Sequence, residues 1–263
     1  MSAGLHGHRE NGASCAALAA AAAAAALRVS RVASAVAVLA VAVVAIDAAM
    51  SPASAQVAPS ASQIAAYSGL HAAAQRGDLD AITRLAVDRK AIDARDSDRR
   101  TALHVATFAR QRAAVAALIE AGADTGALEN GRYDAVTIAA VADDEETLAM
   151  LLARGASAAL VTSRYDGTAL IAAAHLGHDG VVRQLVAAGA PLDHVNNLHW
   201  TALIEAVVLG DGGARHQACV EALLAAGADT KLADAQGNTP LQLARSRGYR
   251  EIEALLSKAA RDR

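Results

Sequence analysis

The chain has 263 residues, of which 54% are apolar, 2% aromatic and 19% charged, and its formal net charge is -3. Alanine accounts for 73 residues, so much of the apolar content is one methyl group per residue. This composition argues against a core of large aromatic side chains and against a strongly basic nucleic-acid binder. With 19 Gly, 4 Pro and 2 Cys, it also excludes collagen-like, disordered and disulfide-scaffold proteins.

The N-terminal segment has the pattern of an export signal. Residues 32–46 carry no charge and follow two arginines. Their number fits the apolar region of a signal peptide, about 7–15 residues, better than a membrane span of about 20. The triplet 53–55 (Ala-Ser-Ala) is a small-residue cleavage site. We therefore expect residues 1–55 to be a signal peptide with an atypically long N-terminal extension; an uncleaved inner-membrane anchor is the alternative.

Cleavage after Ala55 would leave 208 residues with 21 basic and 25 acidic side chains, a net charge of -4. Cys219 would then be the single cysteine, so the fold cannot depend on an intramolecular disulfide. Cys219 occupies an apolar position of a predicted helix, and we expect it to be a small buried hydrophobe.

The body of the chain is repetitive. Six similar segments begin at intervals of 33, 33, 34, 33 and 38 residues, and a glycine that closes four of them keeps intervals of 33, 34 and 38. Two independent landmarks with one period indicate repeats that bury their apolar faces only by stacking on each other. We predict a linker at 56–66, a repeat domain at 67–258 and a tail at 259–263. The six segments open at Ser68, Thr101, Asp134, Thr168, Thr201 and Thr239.

Each repeat is predicted to contain two helices. A Thr, Ser or equivalent residue opens the short first helix as its N-cap, and Pro240 stands at a first helical position, where its missing N–H costs nothing. A second helix with apolar spacing and a polar connection complete the unit. Left-handed glycines are expected to end the first helices at Gly77, Gly177, Gly210 and Gly248.

The openings and closings of these units resemble ankyrin repeats. The T-x-L-H-x-A opening occurs at 101–106, a G-H pair at 177–178 and the L-L-x-x-G-A-D close at 223–229. Residues 196–213 further resemble a group of exported bacterial ankyrin proteins. The resemblance, which covers Ser68 to Leu256, implies an all-α ankyrin-repeat solenoid of about six helix-turn-helix repeats. It also implies β-turn fingers on one edge, a concave groove along the first helices, and protein binding without catalysis.

Three repeats depart from the pattern. Arg110 and Asp143 occupy places where glycine is expected, so the first helices of repeats two and three are predicted to run on or fray. Repeat five carries five extra residues near 211–217, between its two helices, and we expect a flexible insert there.

Three of the six aromatic residues share one repeat position. Tyr67, Tyr133 and Trp200 each precede a repeat opening, two repeats apart. One hypothesis is a line of rings along the fingers that contacts a partner; the alternative is that the rings cover finger stems and pack on the next repeat. Neighbouring finger residues complete this part of the candidate site, several of them of the types that dominate interface hot spots: Arg132, Arg164, Tyr165 and His199.

The remaining candidates lie on first helices. The resemblance places Phe108 and His175, near the helix ends, toward the groove. Glu205 is a carboxylate at a repeat position that is otherwise apolar. It either pairs with His175 or Arg164 or contacts a protein partner, and both hypotheses stay open. The other repeats have apolar residues at this position: Ala72, Val105, Ile138, Ala172 and Leu243.

The sequence offers no catalytic, cofactor or metal site. His71 and His104 resemble the structural histidine of the ankyrin opening. His194 and His199 share one finger but lack a second His or Cys pair, which makes zinc binding a weak hypothesis. Residues 210–213 lack the Lys-Ser/Thr of a phosphate loop.

We therefore expect a non-catalytic, monomeric interaction module in the bacterial periplasm. Its partner would be a cell-envelope protein, bound through finger tips and groove, with no nucleic acid. Membrane contact is expected only if the N-terminal segment is uncleaved, as in a tethered scaffold. An enzyme or metal protein is the less favoured alternative.

Overall fold

The computed structural model describes residues 56–261, apart from the side chain of Arg89. The predicted signal peptide and its cleavage site lie outside these residues. The described residues form one compact unit. Within the described part of the chain, no helix combines the length and apolar character needed to cross a membrane.

Six helix pairs follow one another along the described residues. A short helix, α1 (Ala61–Ala66), precedes the first pair, and another, α4 (Arg89–Ile92), follows it. The only strands within residues 56–261 are β1 (Val161–Thr162) and β2 (Gly167–Thr168), which pair antiparallel. The helix pairs are α2 (Gly69–Arg76) with α3 (Leu79–Leu85), α5 (Ala102–Phe108) with α6 (Arg112–Glu120), α7 (Ala135–Val141) with α8 (Glu145–Ala153), α9 (Ala169–Leu176) with α10 (Asp179–Ala187), α11 (Ala202–Val208) with α12 (Ala214–Ala226), and α13 (Pro240–Arg247) with α14 (Arg250–Arg261).

The pairs stack into two layers. The first helix α9 packs against α7 and α11, while the second helix α10 packs against α12 and α8. Alanines between adjacent first helices, such as Ala106, Ala173 and Ala206, are fully buried and allow a close approach. Leu118 and Leu185, on second helices, are fully buried between the two layers. The predicted all-α solenoid of six repeats is confirmed.

Polar side chains cap five of the six first helices as predicted, but the prediction for Ser68 was wrong, because its side chain makes no cap hydrogen bond. The hydroxyls of Thr168, Thr201 and Thr239 each accept a hydrogen bond from the backbone N–H three residues later. Asp134 replaces threonine in repeat three and accepts from the N–H of Thr137 at 2.9 Å. These caps satisfy helix N–H groups that have no partner inside the helix.

Repeats two and three end their first helices without glycine. Arg110 and Asp143 adopt left-handed backbone conformations, with φ of 52° and 53°. The helices end at Phe108 and Val141, so the prediction that they run on was wrong. The prediction for Gly210 was also wrong, because Gly210 is not among the described residues with positive φ.

The insert of repeat five is anchored rather than flexible. It lengthens α12 to 13 residues, against 9 in α6, α8 and α10. His216 makes two contacts, from Nε2 to the carbonyl oxygen of His175 at 2.9 Å and from Nδ1 to Asp211 Oδ1 at 2.8 Å. The hydroxyl of Tyr249 donates to the carbonyl of Gly210 at 2.8 Å. These bonds fix the insert to repeats four and six.

Both predicted flanks contain helix. The predicted linker 56–66 includes α1, whose N-cap Ser60 and third residue Gln63 form a reciprocal capping box. At the other end, α14 continues to Arg261, into the predicted tail.

Candidate functional site

The connections between repeats form five fingers along one edge of the solenoid. Neighbouring fingers are joined by backbone hydrogen bonds, so the first four form a ladder. The fingers comprise residues 93–100, 124–133, 157–167, 191–200 and 229–238. The ladder bonds, each 2.9 Å, run from Asn130 N to Asp98 O, from Ser163 N to Arg132 O and from Asn197 N to Tyr165 O.

Each finger turns through a left-handed residue two positions before the repeat opening. Only Gly237, in the fifth finger, is a glycine, with φ of 80°. Arg99, Arg132, Asp166 and His199 hold φ between 51° and 65° at the same place. The left-handed conformation costs a non-glycine residue about 1–2 kcal/mol. The first four fingers therefore carry large polar side chains where glycine would be less strained.

The predicted finger residues lie on this edge. Arg132 is exposed and forms an ion pair with Asp166, NH1 to Oδ1, at 2.9 Å. Arg164 and His199 are exposed, and Tyr165 is partly exposed. These four candidate residues are accessible to a partner.

The aromatic residues do not form an exposed line. Trp200 is 7% exposed, so the hypothesis that it makes a broad direct contact is not supported by its burial. Tyr67 and Tyr133 are partly buried. The hydroxyl of Tyr67 donates to Asp96 in the next finger at 2.8 Å, and burial together with this carboxylate raises the pKa of Tyr67 to about 12. The arrangement favours the alternative in which the rings support finger stems.

Arg100 occupies the same repeat position and was missed by the sequence analysis. Its side chain is 3% exposed, and NH1 contacts Asp98 Oδ2 at 2.8 Å. NH2 donates to the carbonyl of Val57 at 2.8 Å. The guanidinium carbon lies 6.0 Å from the centroid of Phe108, which is partly exposed. Arg100 therefore links the N-terminal segment, the first finger and the ring of Phe108; no sequence signal distinguished it from exposed arginines.

Glu205 and His175 come together where the fingers meet the first helices. We use the name groove for the surface between the fingers and the ends of the first helices. Phe108 and His175 belong to it. His175 Nδ1 lies 3.3 Å from Glu205 Oε2. Asn196, in the fourth finger, donates from Nδ2 to Glu205 Oε1 at 2.9 Å. Of the two cations considered for Glu205, His175 is therefore the neighbour, and Glu205 itself is 2% exposed.

Three other histidines make contacts within the scaffold. His71 and His104 contact backbone carbonyls of the next finger, at Arg100 and Tyr133. Burial lowers the pKa of His104 to about 4. His194 Nε2 lies 2.6 Å from the carbonyl oxygen of Asp166. Within residues 56–261, no group of three or more His, Cys, Asp or Glu side chains is placed to hold a metal ion.

The sequence and fold are similar to those of known repeat proteins. The family model described as Ankyrin repeats (3 copies) matches residues 55–129 and 136–234. The putative ankyrin repeat protein YahD of Escherichia coli (strain K12) is 38% identical over 188 residues, which cover 71% of this chain and 93% of that protein.

Two solved structures extend the comparison. An ankyrin repeat domain (ABAYE2397) from Acinetobacter baumannii AYE is 49% identical, with a TM-score of 0.69, covering 73% of this chain and 97% of that one. A structure of the Bd0816 predatory endopeptidase from Bdellovibrio bacteriovorus in complex with immunity protein Bd3460 matches at 24% identity and a TM-score of 0.60, covering 73% of this chain and 98% of that one. This second likeness concerns the fold alone.

Proposed function

We propose that this chain, which belongs to the ankyrin repeat family, binds a protein partner as the repeats of that family do. In this proposal the chain is exported to the bacterial periplasm and its partner is a cell-envelope protein. The chain is a protein–protein interaction module. Its contact surface, in this proposal, consists of the finger tips and the adjoining groove, and the protein acts as a monomer without chemistry of its own.

The proposal is supported by the strained left-handed residues of the first four fingers, which we call the finger tips. Strain at a non-glycine residue persists where the surrounding structure holds it, and it concentrates at functional positions. Arg99, Arg132 and His199 each bear that strain while their side chains are exposed. A glycine at these positions would relieve the strain but remove the side chain. Retaining the side chain is therefore consistent with a role in contacting a partner.

The ladder supports the same surface. Backbone bonds join the first four fingers, so their tips keep fixed spacings before any partner arrives. A preorganised surface loses less conformational freedom on binding, which leaves more of the contact energy available as affinity.

Export is supported by features at the N-terminus. An uncharged apolar run at 32–46 precedes the Ala-Ser-Ala triplet 53–55. The compact unit begins at Gln56, directly after that triplet. An inner-membrane-tethered scaffold remains the second candidate. Fractionation with N-terminal sequencing separates them: a soluble periplasmic form beginning at Gln56 supports export, whereas a full-length membrane-bound form supports the tether.

Affinity capture from the cell envelope, followed by mass spectrometry, tests the binding surface. The test variant combines Arg99→Gly, Arg132→Gly and His199→Gly. It should capture the partner at least roughly tenfold more weakly, since hot-spot truncations cost more than about 1 kcal/mol each. Its melting temperature should not fall, because glycine relieves the backbone strain.

The matched control removes two exposed cations from second helices, through Arg84→Gln and Lys258→Gln, the same change in net charge as in the finger variant. It should capture the partner like the unmodified chain. Undiminished capture by the finger variant would exclude the fingers as the binding surface, and equal losses in both variants would point to net charge instead.

A further inference from the structure

The groove contains a carboxylate oxygen that lacks a hydrogen bond. Glu205 is 2% exposed, and its Oε1 accepts from Asn196 Nδ2 at 2.9 Å. Its Oε2 is buried and has no hydrogen-bond partner among the described residues. His175 Nδ1 is 3.3 Å from Oε2, but the two groups are not aligned for a hydrogen bond. A carboxylate offers about four acceptor sites, so most of this one's capacity is unused.

The hydrogen bond from Asn196 gives Oε1 a structural role, but no described residue forms a hydrogen bond with Oε2. Each of the other five repeats has an apolar residue at the matching position, for example Val105, Ile138 and Leu243. Leaving a buried acceptor unsatisfied is unfavourable, and more so when the group is charged. A glutamine would accept the same bond from Asn196 without burying a charge. The acidic residue is therefore better explained by something that the carboxylate binds.

The surroundings of Oε2 allow a ligand to approach from the groove. The side chain of His175 is 27% exposed and makes no hydrogen bond among the described residues. Its backbone is held, because His216 Nε2 donates to its carbonyl oxygen at 2.9 Å. The imidazole can therefore turn about its own side-chain bonds while the helix end stays in place.

We propose that Glu205 Oε2 accepts a hydrogen bond from the ammonium group of a lysine side chain that the protein partner inserts into the groove. The imidazole of His175 turns aside to admit it. A lysine fits better than an arginine, because only one carboxylate oxygen is free and the planar guanidinium favours two. This inference rests on the proposed function, since it names the chemistry by which the groove recognises its partner.

A small-molecule titration tests the site without the partner. N-acetyl-lysine N-methylamide is added to the full-length protein while NMR follows the imidazole signals of His175. We expect a saturable shift, because the ammonium group replaces the imidazole beside Oε2. The neutral norleucine analogue, of similar length, should give no saturable shift, and the arginine analogue should bind more weakly than the lysine one.

Two variants separate a ligand site from a merely structural pair. Glu205→Gln keeps an acceptor for Asn196 but removes the charge, so it should fold and lose the lysine-dependent shift. His175→Ala removes the covering ring and should strengthen binding of the lysine amide, followed by tryptophan fluorescence or calorimetry. A purely structural pair predicts instead that His175→Ala lowers stability and binds no lysine amide. Equal responses to the lysine and norleucine amides, or equal binding by Glu205→Gln and the unmodified chain, would overturn the proposal.

Partner capture keeps this inference distinct from the proposed function. If Glu205→Gln captures the partner normally and the lysine amide gives no shift, the lysine site is wrong while the interaction surface stands. If the unmodified chain captures nothing, the proposed function fails, and the titration alone still decides whether Glu205 binds an ammonium group.

Discussion

The imidazole of His104 joins two repeats: its Nε2 lies 3.2 Å from the carbonyl oxygen of Tyr133, while Nδ1 accepts from the backbone N–H of Thr101 at 3.1 Å. This pattern requires the neutral ring with its proton on Nε2. Protonation of Nδ1 would break the contact with the Thr101 N–H. The cap of one repeat and the contact with the next therefore depend on a single protonation state.

His104 should make the stability of the fold depend on pH. Burial lowers its pKa from 6.5 to about 4, so on acidification the unfolded chain binds this proton before the folded chain does. The contribution of His104 to the free energy of unfolding is fully present above pH 6.5 and is lost as the pH falls toward 4. At pH 5 the loss is about 2 kcal/mol.

The matched variant for this prediction is His104→Gln. Gln242 occupies the same position in repeat six, where its Oε1 accepts from the backbone N–H of Thr239 at 2.8 Å. The glutamine variant should therefore keep the cap and lose the pH-dependent contribution. Urea unfolding at pH 7.5 and pH 5.0 measures it; the same pH dependence in both proteins would contradict the assignment to His104.

Trp200 should contribute to stability more than an exposed interface ring would. Its 7% exposure means that Trp200→Ala leaves a cavity, with an expected loss of about 3–5 kcal/mol in unfolding free energy. Tyr165→Ala, in the preceding finger, serves as a comparison and should cost less because that ring is partly exposed. Denaturant titration distinguishes them. A loss below about 1 kcal/mol for Trp200→Ala would restore the exposed-ring hypothesis.

Gly210 should not tolerate a methyl group. A Cβ at this position would overlap the backbone carbonyl oxygen of Ala206, which a side-chain rotation cannot relieve. Gly210→Ala should therefore destabilise the fold by about 1–3 kcal/mol or more. Gly126→Ala is the control, because its Cβ would meet only ordinary contacts at 3.5 Å. Comparable melting temperatures for the two variants would show that the insert can rearrange.

Cys219 should be unreactive in the folded protein. It is 0% exposed, and burial raises the pKa of its thiol to about 12. Because the thiolate is the reactive form, we expect negligible labelling by a disulfide reagent at pH 8 and prompt labelling in concentrated urea. Rapid labelling in native buffer would mean that α12 opens locally.

The periodic features of the sequence predicted the fold well, because stacking repeats impose the same local pattern each time. The opening residues Thr101 and Thr168 were predicted to be caps, and both accept the expected hydrogen bond. Cys219, predicted to be a buried hydrophobe, is buried.

The errors fell where a residue departs from the repeat. Arg110 and Asp143 follow the ends of their helices in a backbone conformation that glycine prefers. Trp200 and Arg100 are buried, which local spacing does not reveal. The contact of Glu205 with His175 joins residues thirty positions apart, and the sequence could name it only as one alternative.

The anchored insert of repeat five affects how cooperatively the C-terminal repeats unfold. In most repeat proteins each unit senses only its immediate neighbours. The bonds of His216 and Tyr249 join repeat five to both of its neighbours, repeats four and six, at one loop. A mutation or ligand that loosens this loop acts on three repeats at once, so the C-terminal half should unfold as one cooperative block instead of fraying repeat by repeat from its end.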